Sequence, residues 1–221
     1  MADIDFLAHL GKRTTSRDYL GRVNEFSKAE AARVAKRFDF DYWDGDRKYG
    51  FGGHHYDGRW RPVAEAIVKH YGLKAGDRVL DIGCGKGFFL YEFTQIVPGI
   101  QVEGIDISAY AIEHGKDEIK SSLQVGTAAS LPYADKSFDL VLSVNALHNL
   151  KVFDLKAALE EAQRVSKGKG WIVVESFRTE EEKANLLYWQ LTCQSFYAPD
   201  EWQWWFKQTG WTGDHGHIYF E

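Results

Sequence analysis

The sequence has few of the residues that mark several common protein classes. Among 221 residues there are two cysteines, four prolines and one methionine, and 27 basic residues stand against 32 acidic ones. Two cysteines, Cys84 and Cys193, form no recognisable disulfide framework, so we expect reduced thiols. A surface that binds a phosphate backbone usually has an excess of basic residues, so the net charge of −5 makes nucleic acid a poor candidate for a partner.

Long apolar runs are also missing. No stretch approaches the roughly eighteen apolar residues that a membrane span requires. Asp3 and Asp5 interrupt the N-terminus, where a signal segment would be charged and then apolar. We therefore expect a cytoplasmic protein without a membrane partner. The sequence gives no indication of the oligomeric state.

What is present points to one α/β domain covering residues 1–221. Residues 1–60 are predicted to form a helical extension followed by an aromatic, glycine-rich lid, with a capping box at Ser27 that opens a helix over 29–38. Residues 61–177 alternate helix and strand, which predicts parallel βαβ units. Strands are expected at 78–82, 101–107, 123–126, 138–145 and 171–176, with helices at 63–71, 88–95, 109–118 and 154–165 between them. Residues 178–221 should hold helices over 180–196 and 199–209, then a terminal strand.

A glycine-rich loop follows the first predicted strand, in the segment Val79-Leu-Asp-Ile-Gly-Cys-Gly-Lys-Gly87. In a doubly wound sheet this loop lies at the switch point where ligands bind, and its glycines let the backbone approach a ligand closely. Asp106, which ends the second strand, is placed to accept hydrogen bonds from two ribose hydroxyls.

Two ligand classes fit such a loop. A nicotinamide dinucleotide is disfavoured because the spacing is G-x-G-x-G rather than G-x-G-x-x-G. Asp81 also precedes the first glycine, and its carboxylate would repel a pyrophosphate but attract the ammonium group of S-adenosylmethionine.

Residues 77–177 resemble the core of the class I S-adenosylmethionine-dependent methyltransferases and are most similar to their small-molecule, ubiquinone-methyltransferase-like branch. The resemblance rests on the glycine loop and on the stretches 104–108, 126–133 and 137–141. It implies a doubly wound, mostly parallel sheet of the seven-stranded type and S-adenosylmethionine as the methyl donor. The implied cofactor-binding residues are Asp81, Gly83, Cys84, Gly85, Gly87, Asp106, Ile107, Thr127, Ala128, Ala129 and Asn145.

Within that set, the resemblance assigns Asp81 and the glycines to the methionyl part, Asp106 to the ribose, and Ala128 with Ala129 to the adenine region. Two features depart from the family. Thr127 stands where the family usually has an acid that contacts the adenine amino group. The few residues after Gly210 leave space only for a very short terminal hairpin, or for one strand of it.

Three residues are candidates for chemistry on the acceptor. His148, just after the fourth strand, could act as a general base or could only pack on the cofactor and cap a helix. Glu175, at the end of the fifth strand, could hold an amine or hydroxyl or could be a solvated strand end. Tyr49 in the lid could hydrogen-bond the acceptor or the methionyl carboxylate, or could only pack the extension.

Arginines and histidines outside the motif carry weaker indications. Arg59, Arg61 and Arg178 could bind an anionic acceptor. His215 and His217 share a strand face and could join His54 and His55 at a metal, but no carboxylate or cysteine spacing supports a defined site, so no metal is expected.

The sequence thus predicts methyl transfer from S-adenosylmethionine to an oxygen or nitrogen atom of a small polar acceptor. That acceptor could be anionic, such as a sugar nucleotide or another metabolite. A protein methyltransferase, a non-catalytic S-adenosylmethionine-binding module and an NAD-linked oxidoreductase remain alternatives.

Overall fold

One parallel sheet with helices on both faces forms the centre of the molecule. The computed structural model describes residues 1–10 and 17–221, so the part of the predicted extension at 11–16 lies outside the described residues. The strands are β1 (Arg78–Ile82), β2 (Gln101–Asp106), β3 (Leu123–Val125), β4 (Leu140–Val144), β5 (Gly170–Glu175) and β6 (Asp214–Ile218). Their order is β3-β2-β1-β4-β5-β6, and every pairing between them is parallel.

Nine α-helices surround the sheet within the described ranges. They are α1 (Tyr19–Glu25), α2 (Lys28–Ala35), α3 (Phe40–Trp43), α4 (Arg61–Tyr71), α5 (Phe88–Ile96), α6 (Ala109–Glu113), α7 (Val152–Val165), α8 (Glu180–Trp189) and α9 (Pro199–Gln208). Short 3₁₀ turns occupy Phe6–Leu10, Asp117–Ser122 and Leu147–Asn149. None of the described helices is long and apolar enough to cross a bilayer.

The predicted α/β class and parallel core are confirmed, while several boundaries differ. The Ser27 side chain caps α2 as expected, but α2 ends at Ala35 rather than at Phe38, which adopts a left-handed backbone with φ of 51°. The helix expected over 109–118 stops at Glu113, and the one expected over 180–196 stops at Trp189. A four-residue helix, α3, occupies a stretch partly expected to be loop.

The C-terminal hairpin is absent from the residues that the structure describes. β6 pairs directly with β5, so the sheet has six strands instead of seven. The outer edge of β6 meets the N-terminal segment instead: the Ile4 N–H donates to the His215 carbonyl at 2.8 Å, and the His215 N–H donates to the Ala2 carbonyl at 2.9 Å. Residues 2–4 therefore cover an edge that would otherwise be exposed.

The hydrophobic core has one layer on each side of the sheet. The first layer packs α4 and α5 against β1, β2 and β4, and Phe6 from the N-terminal segment joins it, 6% exposed. The second layer packs α7 and α9 against the other face, around Trp202 and Phe206, which are fully buried. With both faces covered, the carboxyl ends of the strands are left as the place for a ligand.

Candidate functional site

A cavity of about 630 Å³ opens at the carboxyl ends of β1, β2 and β4. This size is typical of pockets for cofactor-sized ligands. Nine of the eleven predicted cofactor-binding residues line it: Asp81, Gly83, Cys84, Gly85, Asp106, Ile107, Thr127, Ala128 and Asn145. The other two, Gly87 and Ala129, lie next to lining residues, and Gly87 packs against Leu123 and Ile119 where α5 begins.

The glycine loop is shaped for close approach. Gly83 and Gly85 have φ values of 83° and 54°, in the left-handed region that disfavours other residues. A Cβ atom on Gly85 would lie 2.7 Å from the Trp43 ring, so even an alanine would push into the lid above the loop. The loop and the lid therefore form one tight surface.

Two buried carboxylates face this cavity from neighbouring strands. Asp106 accepts the backbone N–H groups of Gly85 and Ser108, each at 2.8 Å, which fixes its orientation. Asp81 is 4% exposed, and its Oδ1 atom has no hydrogen-bond partner. Burial, and then repulsion from Asp106, raise the pKa of Asp81 to about 8. A buried, unpartnered carboxyl oxygen suits a positively charged ligand group.

The lid is anchored to the glycine loop through α3 and the turn after it. The Trp43 ring nitrogen donates to the Ser108 hydroxyl at 2.9 Å. Next to it, the Asp44 carboxylate accepts the Lys86 ammonium at 2.7 Å, the Tyr110 hydroxyl at 2.8 Å and the His54 N–H at 3.0 Å. Burial alone would raise the pKa of Asp44, but these hydrogen bonds outweigh it and hold the pKa at about 2.

A smaller side cavity of about 130 Å³ adjoins the main one. Asn145 borders both cavities, with a left-handed backbone (φ 59°) directly after β4. Tyr49 and His148, two of the predicted catalytic residues, line the side cavity. The third, Glu175, lines neither cavity: it is 1% exposed and lies behind His148.

His148 and Glu175 form a buried pair. The Nδ1 atom of His148 accepts the Glu175 backbone N–H at 3.3 Å, and its Nε2 atom lies 3.3 Å from the Glu175 carboxyl. Gln190 donates to the other carboxyl oxygen of Glu175. Burial lowers the pKa of His148 to about 3 and raises that of Glu175 to about 8. Both ring nitrogens therefore face Glu175, and burial favours the uncharged form of each partner.

The side cavity is also lined by two arginines, Arg22 and Arg47, that were not predicted from the sequence. The Arg22 guanidinium lies 4.5 Å and the Arg47 guanidinium 5.8 Å from the centre of the Trp189 ring. Burial, and then the charge of Arg47, lower the pKa of Arg22. Arg22 donates to the Trp189 carbonyl and Arg47 to the Gly50 carbonyl, and within residues 1–10 and 17–221 neither forms an ion pair with a carboxylate. The three arginines that the sequence indicated as anion ligands form ion pairs with carboxylates: Arg59 with Asp57, Arg61 with Glu65 and Glu92, and Arg178 with Glu182 and Glu221.

Comparison with known proteins decides the family. A profile described as "Methyltransferase domain" matches residues 73–210. The chain belongs to the class I S-adenosylmethionine-dependent methyltransferases. An NAD-linked oxidoreductase is thereby ruled out.

Two curated relatives of this methyltransferase are quinone-pathway enzymes by name. The ubiquinone/menaquinone biosynthesis C-methyltransferase UbiE of Geotalea uraniireducens is 32% identical over 154 residues, which are 66% of this chain and 60% of the relative. The demethylmenaquinone methyltransferase of Symbiobacterium thermophilum is 33% identical over 121 residues, 51% of this chain and 47% of the relative. The chain thus spans between about half and 60% of the length of these relatives.

A solved structure shows the same fold. The YcgJ protein of Bacillus subtilis superposes with a TM-score of 0.54 at 26% identity, over 66% of each chain. The matched profile begins at residue 73, so α1 to α4 and the lid lie before it. Of the residues before the profile, those of the 3₁₀ turn Phe6–Leu10, of α3 and of the lid line the methyltransferase cavity.

The residues present fit S-adenosylmethionine. The unpartnered Asp81 oxygen can accept the ammonium group of its methionyl part, and Asp106 keeps free lone pairs for the ribose hydroxyls. In the adenine region the Thr127 hydroxyl accepts the Ala129 N–H at 3.2 Å. Asp154, in the first turn of α7, also lines the cavity, so it can supply the acid that the family usually has at position 127.

Proposed function

We propose that this protein transfers the methyl group of S-adenosylmethionine to an oxygen or nitrogen atom of a small polar acceptor that carries an anionic group. S-adenosylmethionine would occupy the main cavity and the acceptor the side cavity. When bound, the sulfonium supplies an electrophilic methyl group. The rest of the proposal concerns how the chain's own residues hold the two partners.

The position of Asn145 carries the proposal. Its left-handed backbone turns the chain directly after β4, and the residue lines both described cavities. Methyl transfer is an in-line displacement that needs acceptor and donor aligned and water excluded. A side chain that borders both cavities marks the place where the donor and the acceptor would meet.

The side cavity has the chemistry of an anion site. Two guanidinium groups face it beside the indole of Trp189, and neither pairs with a carboxylate of residues 1–10 or 17–221. Guanidinium groups bind carboxylates and phosphates through paired, charge-assisted hydrogen bonds. An acceptor's anionic group bound there would hold its nucleophilic atom toward Asn145.

His148 is proposed as a positioning residue. Because both of its ring nitrogens face Glu175, it cannot take a proton from an acceptor in this arrangement. The pair instead forms a rigid wall that joins the 3₁₀ turn after β4 to the end of β5. Acceptors that react without a base, such as a carboxylate or a neutral amine, suit this wall.

Carbon methylation of a quinone-like ring is the second candidate. The names of the relatives favour it, and so does the apolar part of the main cavity, where Leu7, Leu10 and Trp60 face Val144 and Ile218. An apolar ring would bind there without using Arg22 or Arg47. Substitution of these arginines should therefore weaken the binding of an anionic acceptor and leave the binding of a quinone-like ring unchanged.

The test uses purified protein and S-adenosylmethionine with a labelled methyl group. The protein is incubated with anionic metabolites and, separately, with demethylated quinols in detergent, and products are identified by mass. We expect label in the anionic fraction. Label only in the quinol fraction would favour the second candidate, label on protein would favour a protein methyltransferase, and no label would favour a binding module.

Variants of the arginines sharpen the result. Arg22→Gln and Arg47→Gln should each raise the acceptor KM about tenfold or more while leaving the Kd for S-adenosylmethionine within about twofold, because a lost charge-assisted hydrogen bond costs about 1.5–3 kcal/mol. Arg37→Gln, an exposed arginine away from both cavities, is the matched control. If the two variants weakened S-adenosylmethionine binding instead, the arginines would serve the methyl donor and the assignment would be overturned.

A further inference from the structure

A second cluster of ligating side chains lies at the edge of the sheet. His215 and His217 alternate along β6 and project from the same face. Asp3 is paired with His215 in a parallel bridge and adds a carboxylate to that face. One ligand atom from each of the three residues lies within 4.8 Å of the others. Metal bonds to nitrogen and oxygen of roughly 2.0–2.2 Å place donor atoms at most about 4.4 Å apart, so small side-chain rotations would close the set.

The two imidazoles are buried without hydrogen-bond partners. His215 is 3% exposed and the His217 side chain 1% exposed. All four of their ring nitrogens lack a hydrogen bond, although the Asp3 carboxylate lies 3.3 Å from Nδ1 of His217. Leaving a buried polar atom unsatisfied is costly, so four in one place need an explanation.

The surroundings offer no other partner for these rings within the described residues. His215 packs against Phe206 with ring centres 5.2 Å apart, and His217 stacks on Tyr219 at 5.9 Å. The two imidazoles themselves meet edge to face at 5.4 Å. Aromatic rings surround the two imidazoles and the carboxylate, so Asp3 is the one polar side chain near the ring nitrogens among the described residues, and a metal ion would satisfy these nitrogens.

We propose that Asp3, His215 and His217 bind a divalent first-row transition metal ion, with zinc as the natural probe. Two neutral imidazoles and one carboxylate are a ligand set that zinc and its neighbours accept, with water completing the coordination. The sequence alone predicts no metal here, because no carboxylate or cysteine spacing supports a defined site. The carboxylate comes from the opposite end of the sequence through the pairing of residues 2–4 with β6.

The ion would fasten the N-terminal segment to the sheet. Ile4 leads directly into the 3₁₀ turn Phe6–Leu10, and both Leu7 and Leu10 line the main cavity. Ile218, at the end of β6, lines the same cavity. A metal bound by Asp3, His215 and His217 would thus set the position of one cavity wall from a distance.

The test is zinc binding to the full chain after chelator treatment and removal of the chelator. Isothermal titration with Zn²⁺ should show one ion per chain. In a separate thermal scan, Zn²⁺ should raise the melting temperature. Co²⁺ should give the d–d absorption of a low-symmetry site. Asp3→Asn should weaken zinc binding about tenfold and His217→Gln about a hundredfold or more. His9→Ala, which removes an exposed imidazole from the same segment, should bind zinc like the wild type.

Two results would overturn the proposal. One is wild-type protein that binds no zinc at about 100 μM; the other is zinc binding that Asp3→Asn and His217→Gln leave unchanged. Asp3 is 54% exposed, so its substitution should not prevent folding even if that of His217 does. None of these readouts depends on methyl transfer, so a failed activity assay would leave the zinc result intact.

Discussion

Asp81 has opposite effects on folding and on ligand binding. Its pKa of about 8 in the folded chain lies far above the ordinary value near 3.9. Between those pH values the folded protein holds a proton that the unfolded chain has released, so the stability of the free protein should fall as pH rises from about 4 to about 8. A positively charged ligand group reverses this preference, because it favours the carboxylate.

Asp81→Asn should therefore stabilise the free protein and weaken its binding of S-adenosylmethionine. We expect the free energy of unfolding at pH 8 to increase by about 1–3 kcal/mol, because an amide carries no buried charge. Calorimetric titration at pH 7 in buffers of different ionisation enthalpy should show proton release on binding to the wild type and none in the variant. A variant that binds as tightly as the wild type would disprove the role of Asp81.

Asp154 is the second residue-scale case. If it replaces the acid missing at position 127, Asp154→Ala should raise the Kd for S-adenosylmethionine about tenfold, which corresponds to about 1.4 kcal/mol. Glu160→Ala, on an exposed part of the same helix, is the matched control and should leave the Kd unchanged. Equal Kd values for wild type and Asp154→Ala would contradict this role of Asp154 and would mean that Thr127 or the backbone contacts the adenine amino group.

The lid depends on one ion pair between two elements. Lys86 in the glycine loop is 5% exposed, and its charge is balanced by Asp44 after α3. Asp44→Asn should lower the free energy of unfolding by about 1–3 kcal/mol, since it leaves a buried ammonium without its partner. It should also raise the Kd for S-adenosylmethionine several-fold, because the lid would lose its ionic contact with the glycine loop.

A double variant separates the ion pair from other effects of the substitution. Asp44→Asn combined with Lys86→Met should be more stable than Asp44→Asn alone, because the unpaired charge is gone. Asp46→Asn, an exposed acid two residues away, serves as the control for thermal and binding measurements. Additive losses in the double variant would show that the two residues act independently.

The same elements show what could be predicted from the sequence. The sheet core was predictable because β4 and β5 are short apolar runs and helical segments separate the strands. The cofactor loop was predictable because its glycines and acids are local in sequence. The lid geometry was not. Trp43 is positioned by Ser108, and Arg22 with Arg47 by Trp189, all through contacts between distant segments. The end of α6 was also missed: the helix stops at Glu113, two residues before Gly115, where a Cβ atom would lie 2.7 Å from the Leu123 side chain.

At the scale of the whole molecule, the question is whether the N-terminal segment folds with the methyltransferase core. The matched family profile begins at residue 73, yet Phe6 packs on His70 and Trp171 with ring centres 5.3 and 5.1 Å apart. The Trp171 ring nitrogen also donates to the Ile4 carbonyl at 3.0 Å. These contacts predict that the N-terminal segment and the core unfold together in one cooperative transition.

Phe6→Ala tests this prediction. Deleting a buried aromatic ring typically costs about 3–5 kcal/mol, so the free energy of unfolding of the whole chain should fall by about that amount. Phe153→Ala removes the same ring from a position that is 85% exposed and should have little effect. Denaturant unfolding should be followed by far-UV circular dichroism for the helices and by tryptophan fluorescence for the core. Coincident transitions that both shift in Phe6→Ala would show one unit, whereas an unchanged main transition would show that the segment docks onto a core that folds without it.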